Sequence, residues 1–582
     1  MVVSMTEQRR ESLNRRHFLT GIGGSAAALA VAPLVTRQSA SASTAPAAAD
    51  PGTPTPVLAL AEIQGNIIGG FNKDHQTMLF LRFPPAARAS AWLGELTPHI
   101  ATAAEVTAFS SAFKAVVARS GSEVSAPKAT WVNVAFTHDG LVRLRVAKAD
   151  LDVFPEEYRV GMAARAEQIG DHGPNAPTAW PAPYRDRSHA VVIVAADRPA
   201  DLASAVAEQR ALAAKHGAEV LFAQEGATRA DEPGHEHFGF KDGVSQPGIR
   251  GVTVASNPAN PNQGVPGQDL LWPGEFVLGY PGQFGVGKEI TEAGPVSHSG
   301  PAWTVNGSYL VFRRLRQDVA GFREFMRRVA LQQGVSEDLM GAKLVGRYKS
   351  GAPLEATGMK MIDPALADPS VVADDKINAF EFGDDKAGAI VPLASHIRKS
   401  YPRDDETRDG GESDTQTHRL LRRGIPFGAS LPKGSTDTGD VFGQDRGLLF
   451  LCYQTSIARQ FEFVQSKWVN DPNFSKDGSG HDPIISQVNG PRSMALPGGR
   501  PDHVALMQRF VLTTGGDYFF QPSITALRLL SVAAALPTPT PPPARPAVPT
   551  RPPVNRPQRP APQAPGAPQV PQAPQAPARP KP

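Results

Sequence analysis

The chain has 582 residues, with 59 Lys+Arg against 56 Asp+Glu, 56 prolines and one cysteine, Cys452. A single thiol excludes an intrachain disulfide, a thiolate zinc cage, an iron–sulfur cluster held by this chain alone, and covalent haem attachment through C-x-x-C-H. The net charge of +3 is uneven: residues 1–42 carry +3 and residues 537–582 carry +6, leaving 43–536 at −6. An acidic body argues against a nucleic-acid binder, which needs a basic stripe to neutralise phosphates.

In chain order, the first feature is N-R-R-H-F-L-T (Asn14 to Thr20), then an apolar stretch from Gly21 to Val35 and the small residues Ala40-Ser41-Ala42. A charged start, a short apolar segment and an A-x-A site are the parts of an export signal. The pair Arg15-Arg16 with Phe18-Leu19 looks like a twin-arginine signal, and about 15 apolar residues are too few to span a membrane. Residues 1–42 therefore read as a signal and 43–56 as a linker. Twin-arginine export carries folded proteins, which suits a redox protein loaded with its cofactor beforehand.

The body divides into two similar halves, 57–250 and 306–536, joined by long loops over 251–305. In the first half, strands are expected at Met78 to Phe83, Thr130 to Phe136, Ala190 to Ala195 and Glu219 to Phe222, with helices at Ala86 to Leu96 and Ala200 to Lys215. In the second, Gly307 to Arg313 and Leu448 to Tyr453 read as strands and Val319 to Gln333 as an amphipathic helix. Thr455 to Trp468 reads as another, with Ile457, Phe461, Val464 and Trp468 on one face. Strand, helix, strand in both halves predicts an α+β fold with antiparallel sheets. No G-x-G-x-x-G follows the first strand, which argues against a nucleotide-binding doubly wound sheet. From Pro537 the chain has 19 prolines in 46 residues and reads as a disordered proline-rich tail that buries no core; its partner, if it has one, is unknown.

Four segments combine glycine or proline with charge. Gly239-Phe240-Lys241-Asp242-Gly243 flanks one carboxylate with glycines, although D-G is most often an ordinary turn. In A-S-H-I-R-K-S-Y-P-R (Ala394 to Arg403), His396 follows an apolar stretch, and Arg398 and Lys399 would suit the carboxylates of a cofactor. In L-L-R-R-G-I-P-F-G (Leu420 to Gly428), Arg422 precedes a rigid turn. In the strand Leu448 to Tyr453, the alternate residues Leu448 and Phe450 point to one side.

Together with E-I-Q-G-N-I (Glu62 to Ile67), N-G-S-Y-L-V-F-R-R-L (Asn306 to Leu315) and R-Q-F-E-F-V-Q (Arg459 to Gln465), these segments resemble the dye-decolourising peroxidase family over about Ala61 to Leu530. The spellings and long loops resemble its larger, high-activity subgroup most. The resemblance implies two ferredoxin-like halves of the dimeric α+β barrel type, with one non-covalent haem b per chain in the C-terminal half. It makes His396 the axial ligand of the haem iron, Asp242 the distal acid and base, Arg422 the distal arginine, and Leu448 and Phe450 the apolar distal residues. Arg398 is expected at a haem propionate, and Gly239 and Gly243 beside the flat cofactor. A carboxylate should accept from the other nitrogen of His396; spacing from Phe450 favours Asp482, with Asp471 the alternative. Val-Pro-Leu before Ala-Ser-His, where relatives often have Cys-Pro-Phe, and an insertion between His396 and Arg422 are departures that leave these residues in place.

The implied reaction reduces hydrogen peroxide through a ferryl and porphyrin-radical state and oxidises dyes, phenols or other one-electron donors. A carboxylate, with an ordinary pKa of about 4, still works as a base in acid, where a histidine of about 6.5 is protonated, so an optimum on the order of pH 3 to 5 is expected. Tyr309, Tyr401, Trp303 and Trp468 lie near the motifs as electron-relay candidates, with core packing the competing role. Three other readings stay open: deferrochelatase-like release of haem iron, a non-catalytic haem carrier, and a non-haem metal site at His235-Glu236-His237. The partners expected are hydrogen peroxide, aromatic reductants and the twin-arginine export machinery, with no nucleic acid and no membrane span.

Overall fold

In a computed structural model of the chain, the described residues are 56–121, 126–257, 259–285, 290–358, 376–408, 410–432, 435 and 445–532. The expected signal and tail lie outside them, as does the 43–56 linker up to residue 55.

The first half contributes strands β1 (His75–Arg82), β2 (Thr130–Phe136), β3 (Ala190–Ala196) and β4 (Glu219–Ala227). The second contributes β5 (Ser308–Gln317), β6 (Leu421–Arg422), β7 (Ile425–Phe427), β8 (Gly447–Gln454) and β9 (Val511–Gln521). All nine form one antiparallel sheet in the order β6-β8-β5-β9-β2-β3-β1-β4, with β7 also paired to β8. In the first half β1 lies between β3 and β4 and β2 flanks β3; in the second β5 lies between β8 and β9 and β6 flanks β8, with β7 a short addition to β8. That is the ferredoxin-like βαββαβ order, expected from the sequence and present twice. The halves join at Phe520 of β9 and Phe136 of β2. At the other edge Gly226 of β4 lies beside Ile425 of β7, so the sheet curls into a barrel.

Side chains alternate across the strands. Met78 and Phe80 of β1, Ile193 of β3, Leu310 and Phe312 of β5, Leu449 and Leu451 of β8 and Phe519 of β9 share one buried cluster inside the barrel. Phe80 lies 5.2 Å from Phe312 and 6.3 Å from Phe519, ring to ring across the two halves. Their neighbours Leu79, Leu81, Val192 and Val194 face the opposite way, onto Trp92, Leu93 and Leu96 of helix Ala86–Leu96 and Ala205 and Ala213 of helix Pro199–His216.

Among the elements not expected from the sequence are helices Ala103–Ser120, Glu337–Val345 and Ile524–Val532 and strand β9. The expected helix from Thr455 to Trp468 is wound as π-helix over Ala458–Glu462 and Val464–Val469, with Ile457, Phe461, Val464 and Trp468 all buried. Among the described residues, the loops between the halves carry short strand pairs, such as Pro281–Gln283 with Ala293–Val296, and single 3₁₀ turns.

Candidate active site

On the outer face of the second half, the residues of β8 that do not fill the barrel wall a cavity of about 280 Å³. Leu448 and Phe450 of β8 line it, with Leu315 of β5 opposite Leu448 in register. His396, Asp242, Gly243 and Arg422 line the same cavity.

His396 opens a short helix, His396–Ser400, and its Nδ1 lies 2.8 Å from Asp482 Oδ2. Asp482 is fully buried, and its Oδ1 accepts the backbone N–H groups of Ile484 at 2.7 Å and Ile485 at 2.8 Å. With the carboxylate as acceptor, the neutral imidazole carries its proton on Nδ1 and keeps its lone pair on Nε2. Burial alone would push the imidazole pKa down, but the Asp482 charge and hydrogen bond outweigh it and the net shift is upward. The alternative carboxylate, Asp471, is engaged elsewhere, by the Arg408 guanidinium and the Asn473 N–H.

Asp242 lies on a hairpin closed by the Asp242 N–H to the Gly234 carbonyl, 2.9 Å, and the Glu236 N–H to the Phe240 carbonyl, 3.0 Å. Gly243 has φ of +70°, a conformation that favours glycine, and the space where a Cβ would project is open. Arg422 donates to the Ser245 carbonyl at 2.9 Å, and Gln246 joins both the N–H and the carbonyl of Arg422. The arginine is thereby tied to the segment that follows Asp242. Both groups act electrostatically on His396, so all three face one space.

Two expected positions differ. Arg398 does not reach the cavity: it is 1 % exposed and its guanidinium is taken up by Asp405, Asp385 and the Val391 carbonyl. Residues two apart on a helix point about 200° apart, so a side chain two positions after His396 turns away from its face. Gly239 also lies off the cavity wall; its φ of +96° serves the hairpin turn.

Sequence reasoning missed Arg347 and Arg403, which do line the cavity. Arg347 donates to the carbonyls of Gly351 and Ile377 and to Asn378 Oδ1, and Arg403 to the carbonyls of Asn378 and Phe380. Neither has a carboxylate partner among the described residues. Burial, with Arg403 and Arg422 nearby, pushes Arg347 down to about 9. The P-R following H-I-R-K was the available signal for Arg403; Arg347 had none.

The H-x-H segment is committed to other bonds. His235 Nδ1 contacts the Pro233 carbonyl, His237 Nε2 the Phe427 carbonyl, and the Glu236 carboxylate accepts Phe238 N–H, Phe240 N–H and Gln317 Nε2. Among the described residues no cluster of three His, Cys, Asp or Glu is placed to hold a bare metal ion. Of the aromatic candidates, Tyr309 and Trp468 are buried packing residues, Trp303 bonds Asp150, and Tyr401 lines the cavity with its hydroxyl 2.8 Å from Asp269.

Comparison with known proteins gives two family matches, the DyP dimeric alpha+beta barrel domain over residues 62–230 and the Dyp-type peroxidase C-terminal domain over 287–479. The chain is 31% identical to dye-decolorizing peroxidase msp1 of Mycetinis scorodonius, covering 82% of this chain and 88% of that protein. It is 31% identical to the multifunctional dye peroxidase DyP2 of an Amycolatopsis species, covering 81% and 96%. A mutant structure of the Pleurotus ostreatus dye-decolorizing peroxidase superposes with a TM-score of 0.69 at 32% identity, over 82% of this chain and 99% of that one. The similarity to a Yersinia pestis deferrochelatase reaches only 34% of each chain.

Proposed function

The chain belongs to the dye-decolourising peroxidase family, and we propose that it reduces hydrogen peroxide at a haem held in the cavity between Leu448, Phe450 and His396, oxidising dyes and related one-electron donors. The observation that carries the proposal is one cavity wall holding a carboxylate-backed histidine, a carboxylate and a guanidinium.

The residues present fit haem. His396 offers a neutral Nε2 lone pair, the donor an axial ligand needs. Leu448, Phe450 and Leu315 supply an apolar wall for a flat ring. Arg347 and Arg403, without carboxylates of their own, suit two propionates, the role the sequence had assigned to Arg398. Haem, when bound, supplies an iron centre and conjugated ring able to take up the oxidising equivalents of peroxide.

The protein's own part is to move one proton and hold charge. Peroxide must lose a proton from one oxygen and gain one on the other. Asp242, on its hairpin at the cavity, acts first as base and then as acid. Arg422, fixed by Ser245 and Gln246, stabilises the charge that grows on the departing oxygen. Asp482 keeps the His396 proton on Nδ1, and Leu448 and Phe450 keep water from the reacting face. A carrier would need neither Asp242 nor Arg422.

Titrating haemin into apoprotein tests the assignment. Wild type should develop a Soret band at one haemin per chain, and His396→Ala should lose the histidine-ligated spectrum. Retention of that spectrum in the variant would refute it.

Export rests on Arg15-Arg16 and the apolar stretch after them. Replacing both arginines with lysine should leave the protein inside the cell, and undiminished export would count against the twin-arginine route.

A further inference from the structure

Lys399 was expected from the sequence to suit the carboxylates of a cofactor, and its burial leaves it a different task. The residue has 0 % exposure, and it follows His396 by three positions, a spacing that puts two helical side chains on neighbouring faces. Its ammonium donates to the Asp471 carbonyl at 2.7 Å and to the Phe474 carbonyl, and lies 5.5 Å from the Phe474 ring centroid. No carboxylate forms an ion pair with it among the described residues.

The two carbonyls belong to one excursion of the chain. The segment leaves the helical stretch at Val469 and is closed by the Gly480 N–H to the Pro472 carbonyl, 2.8 Å. It then returns by the Asp482 N–H to the Val469 carbonyl, 3.3 Å. Its end is Asp482, the acceptor for His396 Nδ1. Phe474 anchors the middle, stacked on Trp468 at 5.1 Å and 15°.

An ammonium buried without a carboxylate is expensive, and burial pushes Lys399 down to about 7, although Asp482 and Asp471 oppose the shift. A methionine would fill the same space without that penalty. What it could not do is donate to two backbone carbonyls of the Asp482 loop from the helix that carries His396.

We propose that Lys399 is a positioning residue that ties the His396 helix to the 471–482 loop and so fixes the hydrogen bond from His396 Nδ1 to Asp482. This rests on the reading of His396 as the haem ligand. Groups that orient a ligating histidine govern how strongly it binds, and losing them typically weakens metal affinity 10- to 100-fold. Lys399 acts one bond further out, through the loop.

The test uses ferrous holoprotein and the iron–histidine stretching band in resonance Raman, with haemin affinity measured alongside. Wild type and Asp482→Asn define the two ends of the scale. Lys399→Met is expected to move the band toward the Asp482→Asn position and to weaken haemin binding about tenfold. A band at the wild-type position overturns the proposal even if the melting temperature falls, because a purely structural lysine would change stability alone. A shift away from the Asp482→Asn position also overturns it, since that would mark the loss of a charge rather than of a tether. Should Lys399→Met fail to fold, Lys399→Gln, which keeps an N–H donor, is judged by the same band and should move it less than halfway; a full shift to the Asp482→Asn position overturns the tether. Absence of the band in wild type refutes the haem ligation and is recognisable as that separate failure.

Discussion

At the scale of single residues, the hairpin that carries the reactive carboxylate closes around a second one. Glu236 is enclosed by the hairpin that carries Asp242, where two backbone N–H groups and the Gln317 amide converge on it. Burial pushes its carboxyl pKa up, and Asp242 nearby adds to the rise. Asp242 is bonded through Oδ1 to its neighbour's N–H at 2.6 Å. Asp242→Asn can keep that bond through its amide oxygen while losing the ability to take a proton. Its reaction with peroxide should slow by about 10²- to 10⁴-fold, with haemin affinity unchanged. Stopped-flow decay of the Soret band at graded peroxide concentrations measures the first and haemin titration the second. An undiminished rate would pass the acid–base role to another group on the wall, with Glu236 the first to replace. Arg398 shows how residue chemistry can mislead: an arginine next to a ligand histidine looks like a propionate partner until the helical angle between them is counted.

At the scale of elements, close approach explains a motif that the sequence presented only as a string. In E-I-Q-G-N-I, Gly65 begins the one-turn helix Gly65–Ile68, which packs on helix Ala103–Ser120. A Cβ at Gly65 would sit 2.6 Å from Val106 Cγ2 and 3.0 Å from the Thr102 carbonyl oxygen. Gly65→Ala should therefore destabilise by about 1–3 kcal/mol, as overpacking does. Adding Val106→Ala removes the side-chain part of the clash, so the double variant should lose less than the sum of the single losses. Urea melts of the three variants check this, and strictly additive losses would mean the clash is not the cause. Where an apolar or β-branched run, alternation or a 3.6-residue period was strong, as in β1 and β3, β2 and the helix Val319–Gln333 respectively, the elements were legible in the sequence. Strand β9 was not, because T-T-G-G-D reads as a turn. Its glycines sit at a bulge where Tyr184 and the Met162 sulfur press against the backbone, so a tertiary contact outweighs the local signal. Helix Ala103–Ser120 was missed for the opposite reason: only Ala103 and Val106 are buried, too few for an apolar stripe. In the site, the charged motif residues Asp242, His396 and Arg422 could be picked out by position, whereas Arg347 is brought to the cavity only by the folding of a distant turn.

At the scale of the whole molecule, the acid expected to favour an aspartate base also works against the fold, and His237 is where the conflict can be measured. This histidine is 2 % exposed and donates through Nε2–H to the Phe427 carbonyl at 2.8 Å, while its Nδ1 has no partner among the described residues. Charging it would put a proton on Nδ1 with nothing to accept it. Burial therefore holds its pKa down to about 4, with the cations Arg229 and Arg446 reinforcing the shift and Asp231 opposing it. Unfolded, the same imidazole titrates near 6.5. Between these values the unfolded chain binds a proton that the folded chain refuses, so stability is lost as pH falls from about 6.5 through about 4, by about 3 kcal/mol from this residue. Glu236 and Glu275 have the opposite sign: burial raises both carboxyls, so the stability they contribute is present in acid and lost as pH rises. Total stability is thus a sum of opposed slopes, and a single pH curve of wild type would not separate them. His237→Gln does, because a glutamine amide nitrogen stands where Nε2 does and can donate to Phe427 but does not titrate, and the carboxylate terms cancel in the difference. Urea melts of both proteins at pH 7, 5.5 and 4.5 should show the wild type losing stability faster than the variant as pH falls. Parallel curves would mean that His237 accepts its proton in the folded state after all.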